Sequence, residues 1–75
     1  MDSLVYTVAE TAKILKTNKA YVYSLIKAGL LPVLKLGSYK IRKISLVEFL
    51  EMYQGKDLTD PLNIQELVLL DETQN

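Results

Sequence analysis

Cysteine and histidine are both absent from this 75-residue chain. Their absence removes a disulfide framework, a thiol nucleophile and any ordinary zinc set, and points to an intracellular, cytoplasmic setting. No apolar run approaches membrane-spanning length, and the Met-Asp-Ser-Leu start has neither the basic opening nor the apolar core of a signal peptide. The three glycines form no glycine-rich phosphate loop, and no paired carboxylates are placed for acid–base work. No enzyme, metal site, cofactor, small-molecule ligand or membrane partner is therefore expected. There is no internal repeat and no low-complexity tract. A chain this short makes one small domain, modestly stable on its core alone.

What is present is unevenly distributed. The formal charge is zero, yet residues 1–56 carry all nine basic groups against four acidic ones, a balance of +5, while residues 57–75 carry five acidic groups and no basic one, a balance of −5. Such asymmetry fits a polyanion-binding body followed by an acidic tail. The body is placed at residues 1–55 and the tail at residues 56–75.

Thr7-Val8-Ala9-Glu10 is a capping box, which starts a helix at Val8. Val8, Ala12 and Leu15 share its face, so it should run to about Lys16, with Lys16-Thr17-Asn18 as a tight turn. Asn18 is an N-cap candidate for a second helix from Lys19 to Ala28. Gly29 suits the left-handed exit, and Leu30 should pack back onto Leu25 in a Schellman motif. Val22, Leu25 and Ile26 make the inner face, leaving Lys19, Ala20, Tyr21, Tyr23, Ser24 and Lys27 on or near the outer one. Two helices joined by so short a turn cross at a large angle, as in a helix-turn-helix.

Pro32 forces Leu31 out of helical geometry. Val33 to Leu36 and Tyr39 to Ile44 then read as strands joined by a two-residue Gly37-Ser38 loop. That loop predicts Leu36 opposite Tyr39, Lys35 opposite Lys40, Leu34 opposite Ile41 and Val33 opposite Arg42, with one apolar face and one basic face. Ser45-Leu46-Val47-Glu48 is a second capping box, with Ile44 and Phe49 as a hydrophobic staple. The helix it predicts faces inward through Leu46, Phe49, Leu50 and Tyr53 and ends at Gly55. Beyond it, Asp60-Pro61 is an N-cap followed by proline at the first helical position. A short amphipathic helix from Pro61 to Leu70 is expected, with Ile64, Leu67 and Val68 on one face.

Taken in order, Tyr6-Thr7-Val8-Ala9-Glu10, Ala12 with Ile14-Leu15, Tyr21-Val22-Tyr23-Ser24-Leu25-Ile26, Ala28-Gly29-Leu30-Leu31-Pro32, Gly37-Ser38-Tyr39-Lys40-Ile41-Arg42 and Glu48-Phe49-Leu50 resemble the excisionase-type, MerR-like winged helix-turn-helix domains over roughly residues 5–53. The resemblance implies a small α+β fold: two helices, a β-hairpin wing and a closing helix, here followed by the acidic tail. It also implies a second helix in the major groove of double-stranded DNA and a wing on the backbone. The DNA-binding residues so implied are Lys19, Ala20, Tyr21, Tyr23, Ser24 and Lys27 from the helix and Lys35, Ser38, Tyr39, Lys40 and Arg42 from the wing. Two departures stand out: Lys16 and Thr17 replace the glycine and small apolar residue common in the turn, and Ser24 stands where arginine is common. Arginine is the strongest bidentate reader of guanine, so phosphate contacts are expected to dominate affinity.

Three functions follow from this reading. The first is an excisionase or recombination directionality factor that binds and bends DNA near an attachment site. The second is a small transcriptional regulator of a phage or mobile element. The third is a protein-interaction module acting through the tail, with Ile64, Leu67, Val68 and Leu70 contacting an integrase or a neighbouring copy on DNA. Tyr21 and Tyr23 do not suit tyrosine-recombinase chemistry, because one arginine cannot build the cationic clamp that the phosphate needs. They either touch DNA or pack beneath the hairpin.

Overall fold

Thr7 closes one element and opens the next. In the computed structural model, which describes residues 3–67, it ends the strand β1 (Val5–Thr7) and caps the helix α1 (Val8–Ile14). Its hydroxyl accepts from the Glu10 amide at 3.0 Å while the Glu10 carboxylate accepts from the Thr7 amide at 2.9 Å, so the expected capping box forms. The helix α2 (Lys19–Lys27) follows after a short turn. That turn places Lys16 at φ 59, the left-handed region where glycine is common in the resembling domains.

The strand β1 has no counterpart in the sequence reading. It pairs antiparallel with β3 (Ser38–Arg42), and β3 pairs with β2 (Leu34–Leu36), giving a three-stranded sheet in the order β1-β3-β2. Three residues are too few for a two-residue period to stand out beside a strong capping box. The hairpin register differs from the one expected. Gly37 alone takes the turn, at φ 81, and Ser38 already belongs to β3, so the pairs are Leu36 with Ser38, Lys35 with Tyr39 and Leu34 with Lys40. A one-residue slip moves a strand's side chains to the other face. The hairpin therefore has no purely apolar and purely basic sides: Lys35 joins Tyr39 and Ile41 on the inner face, and Leu34 and Leu36 join Lys40 and Arg42 on the outer one.

The helix α3 (Lys43–Tyr53) begins two residues before the second capping box and runs directly out of β3, with Arg42 at the N-cap position and no side-chain cap. Ser45 is consequently inside the helix and buried, alongside Leu46 and Phe49. Leu50, expected in the core, is 48% exposed. It lies at the edge of the buried face formed by Ser45, Leu46 and Phe49. Val8, Ala12, Val22, Leu25, Leu31, Ile41, Leu46 and Phe49 form the buried core. Each of the larger side chains contributes about 1.5–3 kcal/mol of transfer free energy, and Ala12 less.

The helix expected from Pro61 is absent from the described residues. Asp60 and Pro61 open a tight turn instead, in which the Asn63 amide bonds the Asp60 carbonyl at 2.9 Å and the Leu62 amide bonds the Asp60 carboxylate at 3.1 Å. Proline at the second position of a turn satisfies the same φ as proline at the start of a helix, so the local signal was shared by both outcomes. The turn joins β4 (Lys56–Asp57) to β5 (Gln65–Glu66), an antiparallel pair fixed by a Lys56–Glu66 ion pair and a Leu67 amide bond to the Gly55 carbonyl at 3.1 Å. Leu58 packs against the core. Val68, Leu69 and Leu70, in the remainder of the expected helix, lie outside the described residues.

Candidate nucleic-acid interface

Both ends of α2 are fixed by its own sequence. The Asn18 carboxamide oxygen accepts from the Tyr21 amide at 2.8 Å. At the other end, the Leu30 amide bonds the Leu25 carbonyl and the Gly29 amide bonds the Ile26 carbonyl, each at 3.0 Å, with Gly29 at φ 80. These two bonds are the Schellman motif. The helix is thereby a stiff unit of only nine residues, docked through the fully buried Val22 and Leu25.

Lys19, Ala20, Tyr23, Ser24 and Lys27 are exposed, as expected. The Ser24 hydroxyl donates to the Ala20 carbonyl at 3.1 Å and keeps its lone pairs outward. Tyr23 leans toward the hairpin, its ring 6.3 Å from that of Tyr39. Lys19, Tyr23, Ser38 and Tyr39 line one depression with Thr7, Val8 and Ala9, of about 170 Å³. The start of α1 thus borders the site, a contribution that only the pairing of β1 with β3 could have revealed.

The hairpin's cations are individually placed. The Lys35 ammonium sits 5.0 Å from the centre of the Tyr39 ring, over its face, which is a favourable cation–π position. Lys40 donates to the Ser38 hydroxyl at 2.8 Å. No acidic residue occurs in α2, β2 or β3, which carry Lys19, Lys27, Lys35, Lys40 and Arg42. Arg42 is set apart. It lines a separate, largely apolar depression of about 550 Å³ with Leu4, Val5, Leu34, Lys43, Ile44 and Val47, at the base of the hairpin.

Tyr21 also leaves the group. It is half-buried, and its hydroxyl donates to the Leu58 carbonyl in the segment that leads out of β4. Burial, and secondarily the Asp57 carboxylate, push its phenol above the ordinary value of 10.0. Asp57 itself is held below the usual carboxylate value, because it accepts from the Thr59 hydroxyl at 2.7 Å and the Thr59 amide at 2.9 Å. Sequence reasoning had no handle on the link between Tyr21 and Leu58, since 37 residues separate them. Of the tail's apolar residues, Ile64 and Leu67 are exposed; Val68 and Leu70 lie outside the described residues.

Among the described residues there is no group of acidic, histidine or cysteine side chains that could hold a metal ion, and no helix long and apolar enough to cross a membrane. No curated protein and no solved structure shows significant similarity to this chain. A family model described as a helix-turn-helix domain matches residues 5–53. That span takes in β1 through α3, including all three helices and the basic hairpin, and the chain belongs to this helix-turn-helix family of DNA-binding domains.

Proposed function

We propose that this protein binds double-stranded DNA with α2 in the major groove and the β2–β3 hairpin as a wing on the sugar-phosphate backbone, and that it acts as an excisionase-type recombination directionality factor, bending DNA near an attachment site. One observation carries the binding mode. The exposed face of α2 and the hairpin tip share a depression, with Lys19, Lys27, Lys35 and Lys40 on these elements and no acidic residue on either. Helices of this size enter the major groove, and cations beside them neutralise phosphates. Tyr23 and Ser24 are the side chains best placed to read bases, and Lys35, Ser38 and Lys40 to grip the backbone.

The test is a mobility-shift titration against the DNA flanking the gene, repeated across salt. The logarithm of the binding constant should fall with the logarithm of salt at about −0.9 per neutralised phosphate, or about −3 to −6 for a handful of contacts. Binding indifferent to salt would remove the reading. A permuted-site bending assay then tests the architectural role, and an integrase gene beside this one supports excision over transcriptional regulation.

A further inference from the structure

Two segments border the exposed face of α2, and they carry opposite charge. On one side lies the basic hairpin, reached through Lys19 and Tyr23, whose ring meets Tyr39. On the other lies the segment from β4 to β5, reached through Tyr21 and its bond to the Leu58 carbonyl. Tyr21 and Tyr23 are two residues apart and so point about 200° apart around the helix axis. The second flank carries Asp57, Asp60 and Glu66 against one lysine, Lys56, which Glu66 already engages. Among the described residues neither aspartate is in an ion pair: Asp57 caps Thr59 and Asp60 caps the turn at Leu62. Nothing in the local architecture needs a charge at either position, because a neutral carboxamide oxygen accepts the same bonds.

We propose that residues 56–67 are an acidic border of the DNA interface that resists phosphate on one side of α2, so that the protein grips one backbone through its wing and is discouraged from seating in other orientations or on unrelated sequence. This rests on the DNA-binding reading above. A carboxylate held beside α2 repels phosphate in every seating that brings that flank to the duplex, which non-specific binding uses and the wing-first seating does not, so it weakens non-specific binding most. The border is therefore a specificity determinant that touches no base.

The experiment compares two variants with the same change in net charge, by fluorescence anisotropy on a random-sequence duplex at about 50 mM and about 200 mM salt. Asp57→Asn with Asp60→Asn neutralises the border and keeps both caps. Glu48→Gln with Glu51→Gln neutralises two exposed positions on α3. The border variant should bind about 5- to 10-fold more tightly than the parent at the lower salt, and the α3 variant less than about 2-fold, with the difference shrinking at the higher salt. Equal gains from both pairs, or no gain from the border pair, would overturn the proposal. A parent protein that binds no duplex at low salt would instead sink the DNA-binding reading itself. If the border variant melts early, Asp60→Asn alone makes the same comparison, with about half the logarithmic effect.

Discussion

Lys16 occupies a left-handed conformation, at φ 59, that costs a residue with a Cβ about 1–2 kcal/mol. Glycine removes that cost but adds backbone entropy to the unfolded chain, so Lys16→Gly should stabilise the protein by about 0.5–1 kcal/mol, read as a higher urea midpoint with an unchanged slope. An unchanged midpoint would mean that the lysine side chain recovers the strain elsewhere. At Tyr21, removing only the hydroxyl isolates one hydrogen bond. Tyr21→Phe should cost about 0.5–1.5 kcal/mol, since the Leu58 carbonyl loses its donor. The pH dependence follows from the same pair of groups. The Tyr21 phenol is raised, so its contribution is fully present below its ordinary value near 10.0 and is lost as pH rises through the higher folded value. The Asp57 carboxyl is lowered, so its contribution is present above its ordinary value of 3.8 and is lost as pH falls through the lower folded value. Thermal melts of the parent and Tyr21→Phe should therefore converge at strongly alkaline pH and differ at neutral pH.

At the scale of elements, the one-residue turn at Gly37 decides which cations can act together. Lys35 and Lys40 lie on opposite faces of the hairpin, and Arg42 lies at its base in the apolar depression. Lys35→Ala and Lys40→Ala should each weaken binding to all sequences alike and reduce the salt slope by about one phosphate. Arg42→Ala should weaken it least of the three. A larger loss at Arg42 than at either lysine would show that DNA runs along the outer face of the sheet toward α3. By contrast, Tyr23→Ala and Ser24→Ala should change sequence preference, because they alone of these positions combine exposure on α2 with hydrogen-bonding or apolar reach toward bases. The capping of α2 explains why so short a helix can present them: at nine residues it would be marginal in water without tertiary contacts.

For the whole molecule, the segment from Lys56 to Leu67 is attached both along the chain, after α3, and across it, through Tyr21 and Leu58. Deleting residues 56–75 removes the packing of Leu58 against the core and the Tyr21 bond together. A loss of about 1–2 kcal/mol is expected, and in a domain this small each kcal/mol lowers the melting temperature by about 4–8 °C. A truncated protein that melts with the parent would mean that this segment is held only by its own turn and strand pair. The same deletion should tighten binding to random-sequence DNA at temperatures where the shorter chain is folded.

Signals that act within a few residues were legible without the structure. The Thr7 box, the Asn18 cap, the Gly29 exit and the apolar face of α2 each depend on side chains three or four positions apart, and the helix-turn-helix core was legible from them. The exposure of Lys19, Ala20, Tyr23, Ser24 and Lys27 was legible in the same way, since the face of a short capped helix follows from its period, but the inward turn of Tyr21 and the hairpin register were not. Where two local signals competed, tertiary context chose between them. Ser45 could have capped a helix, but β3 leads directly into α3 and turns Ser45 inward. Asp60-Pro61 could have opened a helix, but the pairing of Lys56–Asp57 with Gln65–Glu66 makes it a turn. The strand β1, the hairpin register and the bond from Tyr21 to Leu58 depend on partners brought together from distant parts of the chain. Those long-range contacts alone decided that α2 is bordered by a basic segment on one side and an acidic one on the other.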